Sequence, residues 1–124
     1  MKRELTLTYD PIVQPALQMS EDMGAVVAFH GVVRCKENSQ PINAINYEAH
    51  KKMARHQFDL IFNSIEKRWP VESVRLTHRL GKVKVNEPSL WVEVIAAHRT
   101  EAFEACQFLI DEMKRKVPIW KHPQ

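Results

Sequence analysis

The stretch from His98 to Lys121, H-R-T-E-A-F-E-A-C-Q-F-L-I-D-E-M-K-R-K-V-P-I-W-K, decides how the rest of the chain is read. Thr100 is a candidate N-cap, and Glu101 and Glu104 put negative charge in the first turn, where the helix dipole favours it. At about 100° per residue, Phe103, Cys106, Ile110, Met113 and Val117 share one side, with Ala102 and Leu109 widening the arc. The pattern predicts an amphipathic helix lying on a core. Lys114 lies about 20° round from Phe103 on this wheel, which starts its stem at the edge of the apolar stripe. Arg115 and Lys116 point elsewhere and suit solvent.

Pro118 ends the helix, because it has no N–H and its ring clashes with the preceding turn. Ile119-Trp120-Lys121 must then run extended and can fold back along the helix end. Two amines, Lys114 and Lys121, can thereby approach one pocket from different segments, while His98 and Arg99 stand just before the helix, at the end of an apolar run. A lysine near other cations, partly desolvated by Phe, Met and Trp, is suited to act as base or nucleophile. The plainer reading, a helix whose basic last turn simply complements its dipole, stays open on spacing alone.

The whole chain has 124 residues, 44% of them hydrophobic, which predicts one α+β domain over 1–124 with a real core. No apolar run approaches membrane-spanning length, and the start M-K-R-E-L-T-L-T-Y-D lacks a signal-peptide core. Cys35 and Cys106 are far apart and in no metal-ligand spacing, so a reduced, cytoplasmic protein is expected. The net charge of +3 suits an anionic small molecule, an acidic protein partner or nucleic acid without choosing among them. A nucleic-acid module is disfavoured, because the strands lack paired exposed aromatics and 15 acidic residues dilute the positive charge.

Along the chain, Glu4–Tyr9 reads as a strand and Pro11–Met19 as a short helix capped by Asp10. Gly24–Val33 reads as a central strand with a bulge or close approach at Gly31. Arg34 closes that strand, and Cys35–Asn43 follows as a polar loop. Ala44–His50 is a further strand. From Lys51 to Trp69, apolar Ala54, Phe58, Ile61, Phe62, Ile65 and Trp69 recur at helical spacing, with Lys52, Arg55, Asp59 and Glu66 facing solvent. Val74–Leu80, Lys82–Val85 and Leu90–Ala97 are strands joined by turns, which makes the sheet largely antiparallel. Glu48 is expected to make a structural ion pair.

No G-x-S-x-G elbow, H-E-x-x-H, C-x-x-C or phosphate-binding glycine loop is present, and three glycines are too few for a nucleotide cradle. The residues left to carry chemistry are cationic: Arg34, His98, Arg99, Lys114 and Lys121. Such a set stabilises anions and the charge that develops in acyl or phosphate chemistry.

A-H-R-x3-F-x-A followed by I-D-x2-K-x3-P-I-W-K resembles the signature of the molybdopterin synthase catalytic (large) subunit family. F-x-G-x-V-R at Phe29–Arg34, I-N-Y-E-A at Ile45–Ala49, Met53-Ala54 and Trp69-Pro70 match it in the same order, covering most of Gly24–Lys121. The resemblance implies a sulfurtransferase that converts cyclic pyranopterin monophosphate to the dithiolene of molybdopterin. Sulfur would come from the C-terminal Gly-Gly thiocarboxylate of a small ubiquitin-like subunit, twice per product and with no metal or redox cofactor. It implies Lys114 as base or covalent participant, Lys121 as the group that orients the tail or stabilises charge, and Arg34, His98 and Arg99 as anion-binding residues. It further implies a homodimer within a heterotetramer, with Arg34 acting in its own subunit or across the interface. A family-like binding subunit without turnover is the alternative. Two departures stand out. Asn86-Glu87 occupies the turn where relatives carry Gly and an acid, and His122-Pro123 replaces a basic–acidic continuation. Many relatives have a further C-terminal segment near the pocket, and its absence here leaves partner docking and full activity open while the identity of the core stands.

Overall fold

A computed structural model describes residues 1–124. Its elements run β1 (Lys2–Thr8), β2 (Ala25–Val32), β3 (Lys36–Glu37), β4 (Gln40–Pro41), β5 (Ala44–Ala49), α1 (Lys51–Arg68), β6 (Val71–Arg79), β7 (Gly81–Lys84), β8 (Pro88–Ala96), α2 (Arg99–Lys116) and β9 (Ile119–Pro123). The architecture is the expected α+β: a four-stranded sheet ordered β1-β6-β8-β2, a three-stranded sheet ordered β7-β5-β9, and a β3–β4 hairpin. β1 runs parallel to β6, and all other pairings are antiparallel. Neither helix is long and apolar enough to cross a membrane.

The near-continuous apolar run of β8 makes it a strand covered on both faces, and every residue from Ser89 to Ala96 is buried. On one face, Val74, Leu76, Leu90, Val92 and Val94 pack under α1 and α2. Alternation sends Arg75 and Glu93 to the other face, where they are cross-strand neighbours and form a buried ion pair at 2.8 Å. Arg75 also donates to the Ala16 carbonyl at 3.0 Å, tying the Pro11–Ser20 segment across that face. α1 buries Ala54, Phe58, Ile61, Phe62 and Ile65 as its spacing predicts. Its N-cap is His50, whose Nδ1 accepts from the Met53 amide.

Several expectations need correction. Pro11–Met19 forms no helix. Pro15 lacks the N–H a helix needs and biases Gln14 away from helical angles. Gly24–Val33 holds an edge strand of the main sheet, not a central one. Its expected irregularity at Gly31 is present: the register shifts between Gly31 and Val32, and a Cβ on Gly31 would lie 3.2 Å from that of Leu90. The Cys35–Asn43 loop contains the β3–β4 hairpin, turned by Asn38 and Ser39 at positive φ. Thr100 lies inside α2; the N-cap is His98, with no side-chain capping bond.

The buried face of α2 also differs from the prediction. Ala102, Ala105, Cys106, Leu109 and Met113 are buried, whereas Phe103 is 60% exposed. The true stripe is rotated roughly 50° from the predicted one, because the two alanines let the helix sit close to the sheet. Trp69 is half-buried, edge-on to Phe108, and the Arg68 guanidinium lies 4.7 Å from its ring. Asn86 adopts φ 71°, the left-handed conformation a glycine would take and asparagine tolerates well. The departure there preserves the turn.

Candidate active site

The end of β2, the start of β8, the last turns of α2 and β9 enclose a cavity of about 580 Å³. Lys114 reaches it from α2, Lys121 from β9 and Arg34 from just beyond β2. The proline mechanism accounts for this meeting. α2 stops at Pro118, and the chain then pairs antiparallel with β5, placing Lys121 directly across from Tyr47. The Pro118 carbonyl accepts from the His50 amide at 3.2 Å, fixing where the reversal begins. Phe29, Leu90, Met113, Val117 and Ile119 form the apolar lining.

Lys121 is half-exposed, its Nζ 3.8 Å from a carboxylate oxygen of Glu37 on the hairpin at the rim. The aromatic screen expected around it differs in detail. Trp120 points to the other side of β9 and is 48% exposed, and Phe103 lines a separate shallow groove on α2. Glu48, expected in a structural ion pair, is exposed, with a carboxylate oxygen 3.7 Å from His122 Nε2.

His98 and Arg99 do not join the lysines within one chain. β8 begins at the cavity with Ser89 and Leu90 and ends beside Gly24–Ala25, so it delivers His98 and Arg99 to the opposite end of the sheet. Arg99 and Lys114 are separated along α2 by roughly 22 Å at 1.5 Å per residue.

Three buried polar side chains complete the cavity wall: Tyr47, His78 and Ser89. The Tyr47 hydroxyl hydrogen-bonds Ser89 Oγ at 3.2 Å, and Ser89 Oγ donates to the Gly31 carbonyl at the bulge. The Tyr47 and His78 rings meet edge-to-face at 5.1 Å. Burial lowers the pKa of His78; its bond to the Arg79 carbonyl opposes that shift and the Lys121 charge adds to it. Burial likewise raises the pKa of Tyr47, only partly offset by the Ser89 bond. The sequence did carry a signal for these residues: His78 continues the Val74–Leu76 alternation, and Tyr47 follows Ile45 in phase, so both interrupt apolar rows with polar groups.

The profile of the family described as MoaE protein matches residues 6–116. The chain belongs to the MoaE family. It is 40% identical over 100 residues to the molybdopterin synthase catalytic subunit of Thermoplasma volcanium, spanning 81% of this chain and 73% of that protein. To the human molybdopterin synthase catalytic subunit it is 37% identical over 115 residues, 93% of this chain and 60% of that protein. The crystal structure of molybdopterin synthase from Staphylococcus aureus superposes with a TM-score of 0.85 at 28% identity, over 96% of this chain and 89% of that one. The profile match includes Arg34, His98, Arg99 and Lys114 and ends before Lys121.

Proposed function

We propose that this MoaE-family chain is the catalytic subunit of a molybdopterin synthase. It would move sulfur from the C-terminal thiocarboxylate of a small ubiquitin-like subunit onto cyclic pyranopterin monophosphate. The observation that carries the reading is the shared cavity: two amines from separate segments, joined by an arginine, in a pocket with one apolar wall and an open rim. An extended Gly-Gly tail has no side chains to obstruct such a pocket, and its terminal thiocarboxylate is an anion that ammonium groups attract. Lys114 is the base or covalent participant at the thiocarboxylate carbon, and Lys121 holds the tail or offsets the charge that develops there. Sulfur leaves that carbon for the pterin, and water supplies the oxygen that turns the spent tail into an ordinary carboxylate. Arg34 offers a planar fork for the substrate phosphate. No metal or redox cofactor enters these steps.

His98 and Arg99 serve the same reaction from a second copy in a homodimer, to which two small subunits add to give a heterotetramer. The open edge of β2, with Val26, Phe29 and Val32 exposed, supports a self-association surface on this side of the domain.

The direct test is reconstitution with thiocarboxylated small subunit and the pterin precursor, scored for product. Lys114→Ala should lower the rate by about a hundredfold or more with an unchanged melting curve. Near-normal turnover would remove Lys114 from the mechanism. Mixing Lys114→Ala with Arg99→Ala chains tests the dimer. If Arg99 acts across the interface, one site per mixed dimer keeps both residues and activity returns; if it acts in its own chain, the mixture stays inactive.

A further inference from the structure

His78 is a buried histidine in the cavity wall with one ring nitrogen spoken for. Its Nδ1 lies 2.8 Å from the Arg79 carbonyl oxygen, which can only accept, so Nδ1 carries the hydrogen. Nε2 of the neutral ring therefore holds a lone pair, and no side chain or backbone donor fills it. The ring lines the same cavity as Lys121. Tyr47, which packs edge-on to the imidazole, lies directly across from Lys121 in the β5–β9 register, so these side chains share one face of the small sheet. Tyr47 and Ser89 spend their hydroxyl hydrogens inward, toward Ser89 and Gly31, and offer no donor to Nε2. The nearby groups with hydrogens to give are cationic, and Lys121 is the one on the Tyr47 side. At the outer rim, Glu37 competes for that ammonium from 3.8 Å.

We propose that His78 is a positioning residue for Lys121: its Nε2 accepts a hydrogen bond from the ammonium and turns it inward, away from Glu37, when the partner's tail fills the cavity. The ring does not take the proton. It fixes where the charge stands, and the neighbouring carbonyl fixes the tautomer that allows this. This inference rests on the sulfur-transfer reading above.

Asparagine and glutamine separate the two ring nitrogens. In His78→Asn the amide nitrogen overlays Nδ1 and keeps the Arg79 contact but offers nothing at Nε2, whereas the longer His78→Gln places an acceptor near Nε2. In single-turnover reactions of the reconstituted complex, His78→Asn should slow sulfur transfer by about tenfold, the scale of a misplaced catalytic group. Affinity for the thiocarboxylated small subunit should change by less than about twofold. His78→Gln should recover most of the rate. In a Lys121→Ala background His78→Asn should cost nothing further, because a residue that acts through Lys121 has nothing left to act on. The inference is overturned if His78→Asn reacts at the parent rate, or if both variants are equally slow and their losses add to that of Lys121→Ala. Should His78→Asn fail to fold in a melting scan, His78→Leu replaces it in the same comparisons. Lys114→Ala and Lys121→Ala, run alongside, keep the two readings apart. Full activity in both lysine variants sinks the function, while inactive lysine variants beside a normal His78→Asn sink only the positioning role.

Discussion

The molecule has two hydrophobic clusters of unequal size, and the candidate site lies between them. The larger gathers 18 buried residues between the helices and the main sheet. The smaller holds only Val33, Ile45, Tyr47, Leu80 and Val83 beneath the three-stranded sheet. Leu7 and Ile119 pack against both. Lys114 is anchored on the large cluster through Met113 and Val117, whereas Lys121 stands on a strand backed by the small one. The contrast separates two tasks. Global stability resides in the helix–sheet core, and the relative placement of the two amines depends on the thinner layer.

The largest effect should come from hollowing the large cluster. Phe58 is fully buried and stacks on Phe62 with centroids 6.0 Å apart. Phe58→Ala should cost about 3–5 kcal/mol, read as a lower urea midpoint. A domain of this size has only about 5–15 kcal/mol in total, so a loss below about 1 kcal/mol would refute that placement of stability. Next is the ion pair on the other face of the main sheet. Glu93→Gln leaves the Arg75 guanidinium buried without its counter-charge, which should cost roughly 3 kcal/mol in the same titration. The cation–π approach of Arg75 to Trp91, at 5.4 Å, does not replace it. An unchanged midpoint would mean that the Pro11–Ser20 segment moves aside and lets water reach the arginine.

In the small cluster the ranking of stability and activity should reverse. Ile45→Val removes one methylene group and should cost only about 1 kcal/mol. Yet Ile45 neighbours the Tyr47–Lys121 register pair, so single-turnover sulfur transfer should fall by a larger factor than stability alone predicts. Equal modest losses in both assays would erase the division of labour between the clusters.

How much of this was legible in the sequence depends on which physical signal each residue leaves. α1 was readable because six apolar residues from Ala54 to Trp69 recur at helical spacing, and β8 because a strand buried on both faces has no polar phase. The meeting of Lys114 and Lys121 followed from Pro118, a residue whose backbone consequence is nearly independent of context. The buried arc of α2 was misread because Phe103 outweighs Ala102 and Ala105 in hydrophobicity, whereas close packing on a sheet favours the small residues. His98 and Arg99 look adjacent to the site in sequence, but β8 and α2 each carry the chain the full length of the domain, so sequence proximity to the helix places them at its wrong end. Tyr47, His78 and Ser89 could be given a phase on their strands but not a neighbour across the cavity. That information lies in the β5–β9 and β6–β8 pairings, which are long-range.

The smallest predicted effect bears on the small cluster through protonation. An unfolded histidine titrates at about 6.5, and burial holds His78 below that value in the fold. Well above this pH both states are neutral and His78 contributes no pH dependence. As pH falls through it, the unfolded chain binds a proton that the folded chain refuses, so stability is lost until the lower folded pKa is reached. The slope is at most a single proton's worth, positive with pH, and confined to that window. Glu72, Glu87 and Glu112, whose pKa values are lowered from 4.5 by hydrogen bonds, lose their contribution only at more acid pH and are shared by every His78 variant. Urea midpoints at about pH 7.5 and pH 5.5 should therefore fall further for the parent chain than for His78→Gln, which has no proton to refuse. Identical drops in the two proteins would show that the imidazole is hydrated or already charged when folded, and the neutral lone pair assigned to its Nε2 would then be lost as well.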